Sequence, residues 1–412
     1  MNSQFFQRDR DKFMDLMDDN SVAVFFSGGP VRDTADQFFP FSVDRNFYYF
    51  TGIPRENMVL MMSKLGGTTD VCLFIPPVDE LYEKWHARFV RKDEATECSG
   101  IDNVQYTPDF EGAFAKKVYT AENVPSLYLY SNITELDEPE DRYRRFAQVV
   151  ARQFPTIRIQ NSQPIMSALR SVKEPEEIAQ IQEAVSLTGE ALSFVMQKLR
   201  PGIYEYEIAA HYHYQLALRN SRPRHKSVIA SGQNAMMLHY NAGTSQVEAG
   251  QLVLMDVGAY HNWYASDITR TYPVSGRFTP RQKDVYNVVL EAQEVAMAAM
   301  RDGVAELSVN QAVKQYFAKE LRSLKLISDD SEVERYFYHS IGHQIGLDLH
   351  DLRSPGRVLR ENSVYTVEPG LYIAEEGIGI RIEENVVVTK TGVRCLSGDI
   401  IKTVADIENY MG

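Results

Sequence analysis

The sequence predicts an α+β chain of two domains: an α/β domain over residues 1–170, and a domain of long helices and β-hairpins over residues 171–412. Three observations predict it. The chain has 412 residues, more than one ordinary compact core holds. Short apolar runs alternate with helical patterns in its first part. At Leu169-Arg170-Ser171-Val172-Lys173-Glu174-Pro175 the pattern breaks, because the proline disfavours helix at Glu174 and suits the first turn of a new helix.

In chain order, residues 3–19 read as an amphipathic helix, with Phe5, Phe6, Phe13, Leu16 and Met17 on or near one face. Ser21–Phe26 reads as a short buried strand ended by Gly28-Gly29-Pro30. Phe47–Phe50, Met58–Met62 and Asp70–Ile75 read as further strands, and residues 140–153 as a helix. Past the boundary, one helix runs from Pro175 to about Leu199, where Pro201-Gly202 stops it. Others cover about Tyr204–Asn220, Pro280–Asp302 and Ser308–Leu324. The helical recurrence of Val285, Val288, Val289, Ala292, Val295 and Ala296 reads as core.

Composition excludes some functions. The formal net charge is −13, which disfavours nucleic acid as a partner. No basic run suggests a membrane surface, and no stretch of 18 apolar residues suggests a spanning helix. The N-terminal stretch alternates charged and apolar residues, unlike a secretory signal. Cys72, Cys98 and Cys395 are far apart and lack metal-binding spacing. They suit a reducing compartment, so a cytoplasmic location is expected.

Two strand pairs carry the chemistry. Gln251–Tyr260 and Trp263–Tyr272 form a hairpin if His261-Asn262 is the loop. That register sets Asp256 opposite Asp267. Apposed acids destabilise a sheet, so an apolar setting would require a cation or a proton between them. The alternative is a slipped register with both acids solvated. Val364–Ile373, interrupted at Pro369-Gly370, and the strand beginning at Ile378 repeat the arrangement. A turn around Glu375-Glu376-Gly377 sets Glu368 opposite Glu383, while Glu384 points to the other face.

Three of the nine histidines, His339, His343 and His350, fall within twelve residues. Histidine is the commonest metal ligand, so this stretch is a candidate site. It lacks the Glu of the zincin motif, and Gly342 and Gly346 argue against a rigid helix. A loop beside the acids is the expected place. His239 is a further candidate. Four carboxylates with histidine suit Mn²⁺, Mg²⁺ or Co²⁺ better than structural zinc. Four negative charges are balanced by two divalent ions, which points to a two-metal site with ions roughly 3.5–4 Å apart.

These residues also carry a resemblance. Asp256-Val-Gly-Ala259 through Ser266-Asp267-Ile-Thr-Arg-Thr271, His339-x-x-x-His343-x-x-Gly346-Leu-Asp-x-His350-Asp351, Thr366-Val-Glu368-Pro-Gly370 and Gly379-Ile-Arg381-Ile-Glu383 resemble the metal-binding signatures of the aminopeptidase P and prolidase family. Asp44–Gly52 and Glu83-Lys84-Trp85 resemble the N-terminal domain of aminopeptidase P, although Ala87 stands where a glycine is expected.

The resemblance implies a pita-bread metallopeptidase fold for the second domain. It also implies hydrolysis of the N-terminal Xaa-Pro bond of a peptide substrate. The implied metal ligands are Asp256, Asp267, His343, Glu368 and Glu383, with Asp267 and Glu383 bridging two ions. Manganese is the expected metal, with cobalt or zinc as alternatives. Glu368 is the candidate proton shuttle. His239 and His350 are implied to be catalytic and substrate-binding, and His339 substrate-binding. Arg381 and Tyr372 are implied to orient the carboxylates. A homo-dimer or homo-tetramer is expected. A dipeptidase restricted to Xaa-Pro, and a catalytically inactive peptide-binding relative, stay open as alternatives.

Overall fold

A computed structural model describes residues 1–121, 123, 125–132, 135 and 137–412. The chain divides into two compact units, Met1–Leu169 and Arg170–Gly412.

The first unit is built on a six-stranded mixed sheet. Its order is Val104–Tyr106, Thr68–Ile75, Val59–Leu65, Ser21–Phe26, Ser126–Leu129, Arg158–Asn161. The Ser21–Phe26 strand is buried throughout, because both of its faces are covered. Val22, Val24 and Phe26 join Phe110 and Phe114 in one core, with Phe146 packed against it. Phe25 lies on the opposite face, its ring 5.3 Å from Phe13 and 4.9 Å from Phe50.

One expectation fails in this unit. Residues 47–50 are not a strand but part of the helix Arg45–Thr51. The Asp44 side chain accepts hydrogen bonds from the backbone N–H of Asn46 and Phe47, and Gly52 closes the helix at φ 67°. Both ends of a short helix are thereby satisfied, which outweighs the strand preference of four aromatic residues.

The second unit repeats one plan twice. Helices Pro175–Met196 and Glu205–Leu218 pack together, followed by an antiparallel sheet of Val228–Ser231, Leu252–Val257 and Ile268–Pro273. Helices Pro280–Ala299 and Glu306–Ser323 then pack together, followed by a sheet of Val364–Val367, Glu384–Val388 and Val393–Cys395. Proline stands in the first turn of both Pro175–Met196 and Pro280–Ala299, behind a capping box. Among the described residues, no helix is long and apolar enough to cross a membrane.

The first hairpin differs from expectation in register. Its turn is Asn262-Trp263, both at positive φ, and Tyr260 pairs with Ala265. Asp256 therefore pairs with Thr269, and Asp267 lies diagonal to it rather than opposite. The displacement is two residues, so both acids stay on one face of the sheet. In the second hairpin, Glu368 and Glu383 lie between the pairs Val367–Glu384 and Gly370–Arg381, in the expected register.

Candidate metal centre

The two hairpins bring their acids to one cavity of about 570 Å³ in the second unit. Asp256 projects from the Leu252–Val257 strand, and Asp267 precedes the Ile268–Pro273 strand. Glu368 and Glu383 occupy the break between the Val364–Val367 ladder and the short Gly370–Ile373 ladder. Glu384 faces away and is held by Arg270 at 2.9 Å and Lys402 at 3.0 Å.

Neighbouring groups aim each acid. The Thr269 hydroxyl donates to Glu383 Oε2 at 2.7 Å, and the Glu383 N–H donates to the Thr269 carbonyl at 3.0 Å. Asn385 grips the backbone of Asp267 from both sides, accepting its N–H at 3.1 Å and donating to its carbonyl at 2.7 Å. Arg381 is buried and donates to Asp256 Oδ2 at 2.5 Å, to the Thr269 hydroxyl at 3.0 Å and to the Tyr372 hydroxyl at 3.0 Å.

The histidine stretch is a loop laid along the Val364–Val367 strand. The Thr366 N–H donates to the His343 carbonyl at 2.9 Å, and the Glu368 N–H donates to the Ile341 carbonyl at 2.8 Å. This closeness explains Gly342, and the packing of Asp351 explains Gly346. A Cβ on Gly342 would meet the Thr366 carbonyl oxygen at 2.1 Å, and one on Gly346 would meet Asp351 Oδ2 at 2.1 Å.

His343 bonds the Gln344 carbonyl through Nδ1 at 3.0 Å, which turns its Nε2 toward Asp267 Oδ2 at 3.5 Å and Glu368 Oε1 at 3.8 Å. His350 stacks on it, with ring centroids 3.9 Å apart. His239 and His350 line the cavity wall. Both nitrogens of His339 are engaged, Nδ1 with the Ser340 carbonyl at 2.8 Å and Nε2 with the Tyr372 hydroxyl at 2.9 Å.

Charge is poorly balanced here. Burial, reinforced by Asp267, Glu368 and Asp256, pushes the Glu383 carboxyl well above the usual range. Burial likewise raises Glu368 to about 7 and raises Asp256, although Arg381 opposes both. Burial also works against the Asp267 carboxylate, but hydrogen bonds and charge from His225 and His343 win and lower it. For His343, burial is outweighed by Asp267 and Glu368, which raise it to about 9. Burial lowers His339 to about 4, and His350 falls to about 4 through lost solvation and the nearby His343.

The residues fit a divalent cation. Asp267 Oδ1 and Glu383 Oε1 are buried and complete no hydrogen bond. Among the described residues, two groups have ligand atoms mutually within 4.8 Å: Asp267, His343 and Glu383, and His225, Asp256 and Asp267. They share Asp267. His225 was missed from the sequence, as were Arg353, which lines the cavity, and Thr269. His225 stands alone in Arg222-Pro-Arg-His-Lys226, and only its nearness to a strand end could have flagged it.

Under-neutralised acids inside a twice-repeated helix-and-sheet unit define a metallohydrolase with the pita-bread plan. The chain belongs to metallopeptidase family M24, which it matches over residues 179–390; residues 6–127 match the aminopeptidase P N-terminal domain. It is 31% identical to the Xaa-Pro aminopeptidase of Escherichia coli (strain K12), over 99% of this chain and 97% of that one. A solved structure of a candidate aminopeptidase P from Bacillus anthracis superposes with a TM-score of 0.97 at 37% identity, covering 100% of this chain and 98% of that one. Aminopeptidase P from E. coli with the inhibitor Pro-Leu superposes with a TM-score of 0.90 at 31% identity, covering 100% and 98%.

Proposed function

We propose that this metallopeptidase removes the first residue from peptides with proline second, using two divalent ions, Mn²⁺ by preference. Asp256, Asp267, His343, Glu368 and Glu383 would hold the ions. The observation that carries the reading is the pair of ligand groups meeting at Asp267, whose two carboxylate oxygens face different histidines.

Bound divalent ions would lower the pKa of water and polarise the scissile carbonyl. The chain's own groups do the rest. Glu368 lines the cavity beside His343, a place that suits carrying a proton from the attacking water to the leaving proline nitrogen. His350 is neutral at pH 7 and, with His239, lines the side from which an N–H could meet developing oxyanion charge. His339 has no ring nitrogen to spare, so its proposed role moves from binding substrate to positioning Tyr372. Tyr372 accepts from Arg381, and Arg381 holds Asp256.

We place the protein in the cytoplasm, as its three free cysteines suit, and as a dimer or tetramer. The exposed Phe38, Phe39, Leu81 and Trp85 of the first unit offer apolar surface for assembly.

The test offers Mn²⁺-loaded protein Gly-Pro and an Xaa-Pro-Pro tripeptide side by side, with the tripeptide's second residue also changed to alanine. Release of the first residue from the proline tripeptide, lost with alanine, is expected. Cleavage of the dipeptide alone would make the protein a dipeptidase. No cleavage of any peptide would overturn the catalytic reading.

A further inference from the structure

Among the described residues, His225 is the only histidine outside the expected ligand set whose ring nitrogen faces two of the acids. It lies on the segment before the Val228–Ser231 strand, at the cavity wall. Its Nδ1 bonds the Lys226 carbonyl at 3.1 Å, and a carbonyl accepts only, so Nδ1 carries the proton. In the neutral ring the Nε2 lone pair then points into the site. Nε2 is 3.5 Å from Asp256 Oδ1 and 3.4 Å from Asp267 Oδ1. Despite that closeness, Nε2 is buried without completing a hydrogen bond, and so is Asp267 Oδ1.

His343 is built the same way. Its Nδ1 bonds the carbonyl of the next residue, Gln344, and its Nε2 lies 3.5 Å from the other Asp267 oxygen. Asp267 is thus flanked by two imidazoles, one at each oxygen. A lone pair facing carboxylate lone pairs is repulsive unless a cation or a proton lies between them. The ligand atoms of His225, Asp256 and Asp267 lie within 4.8 Å of one another, close enough to meet at one ion.

We propose that His225 Nε2 is a sixth protein ligand, binding the ion held by Asp256 and Asp267. Each of the two ions then has one imidazole. A nitrogen donor on both sides strengthens Co²⁺ binding more than Mn²⁺ binding, without displacing Mn²⁺ as the proposed working ion. This inference rests on the two-metal reading above.

The experiment counts imidazoles and ions together. The protein is stripped with chelator and reloaded with Co²⁺. Bound metal is measured by elemental analysis, and ligating imidazoles by X-ray absorption fine structure. Two ions with one imidazole each are expected in the unaltered protein. In His225→Ala, one ion should keep its imidazole, and the affinity of the other should fall by at least about tenfold in calorimetric titration. Mn²⁺ should lose less affinity than Co²⁺. The unaltered protein answers the question even if His225→Ala fails to fold. Two bound ions with a single imidazole between them would overturn the proposal and leave the two-metal reading intact. Protein that binds no divalent ion would overturn that reading itself.

Discussion

Replacing Glu383 by glutamine separates metal binding from folding, because the two should respond differently. Glu383 is 1% exposed, accepts from Thr269 through Oε2, and leaves Oε1 without a partner. Without metal, burial and three neighbouring acids favour its protonated form. Glutamine nearly copies that form, so Glu383→Gln in EDTA should change stability by no more than about 1 kcal/mol in either direction.

With metal the balance reverses, since a neutral amide replaces an anionic ligand. A divalent ion at about 100 times its Kd stabilises the fold by about 2.7 kcal/mol. At about 2–4 °C per kcal/mol for a unit of this size, that is about 5–11 °C. A 100-fold loss of affinity at the same concentration leaves about 0.4 kcal/mol, or about 1 °C. Thermal unfolding in EDTA and in saturating Mn²⁺, for both proteins, measures all four numbers. An undiminished metal-induced shift in Glu383→Gln would refute Glu383 as a ligand. A large loss of stability in EDTA would show that its carboxylate serves the fold.

Two further predictions concern the histidines. His350→Ala should retain both ions by elemental analysis and lose about 10²–10³ in kcat, the cost of one oxyanion donor; full turnover with metal retained would sink that role. In EDTA the melting temperature should fall as pH rises from about 6.5 to about 9. His225 and His343 are raised to about 9 by the nearby acids despite burial, so their contribution is complete below the unfolded pKa of about 6.5 and is lost through about 9. At about 1.4 kcal/mol per pKa unit, each contributes up to about 3 kcal/mol. His339 and His350, lowered to about 4, act in the opposite sense but only below about 6.5. A melting temperature that is flat or rises between pH 6.5 and 9 would contradict the ion pairs.

What could be read from the sequence follows the range of each interaction. The long helices were legible because apolar periodicity, proline in the first turn and a following glycine are local signals. The acid faces were legible because side chains alternate strictly along a strand. A hairpin register two residues off still put Asp256 and Asp267 on one face. Phe47–Phe50 misled because four aromatics speak for strand, whereas the deciding groups, Asp44 and Gly52, lie just outside the run. His225 was illegible for a different reason. Its relation to Asp267 exists only once the Val228–Ser231 strand pairs with Leu252–Val257, and a lone histidine among basic residues carries no trace of that pairing.

The charge count that suggested two metals also changes with the structure. Four carboxylates alone would match two divalent ions. Arg381, however, is buried among them and bonded to Asp256, which brings the fixed charge to −3. One divalent ion then leaves −1 and two leave +1, so neutrality no longer chooses between them. The two-metal proposal rests on geometry instead. Asp267 presents Oδ1 to the His225 side and Oδ2 to the His343 side. Asp256 belongs to the first side and Glu383 to the second. A single ion could use one side and would leave the other's buried oxygen atoms without a partner, at a cost of about 1–3 kcal/mol each or more for charged groups. Arg381 then has a reason to be arginine beyond orienting Asp256. Its permanent charge limits the repulsion among the acids while no ion is bound, so the site can form before metal arrives. With two ions present, the remaining +1 favours an anionic group at the cavity, such as the charge that develops on a carbonyl oxygen under attack.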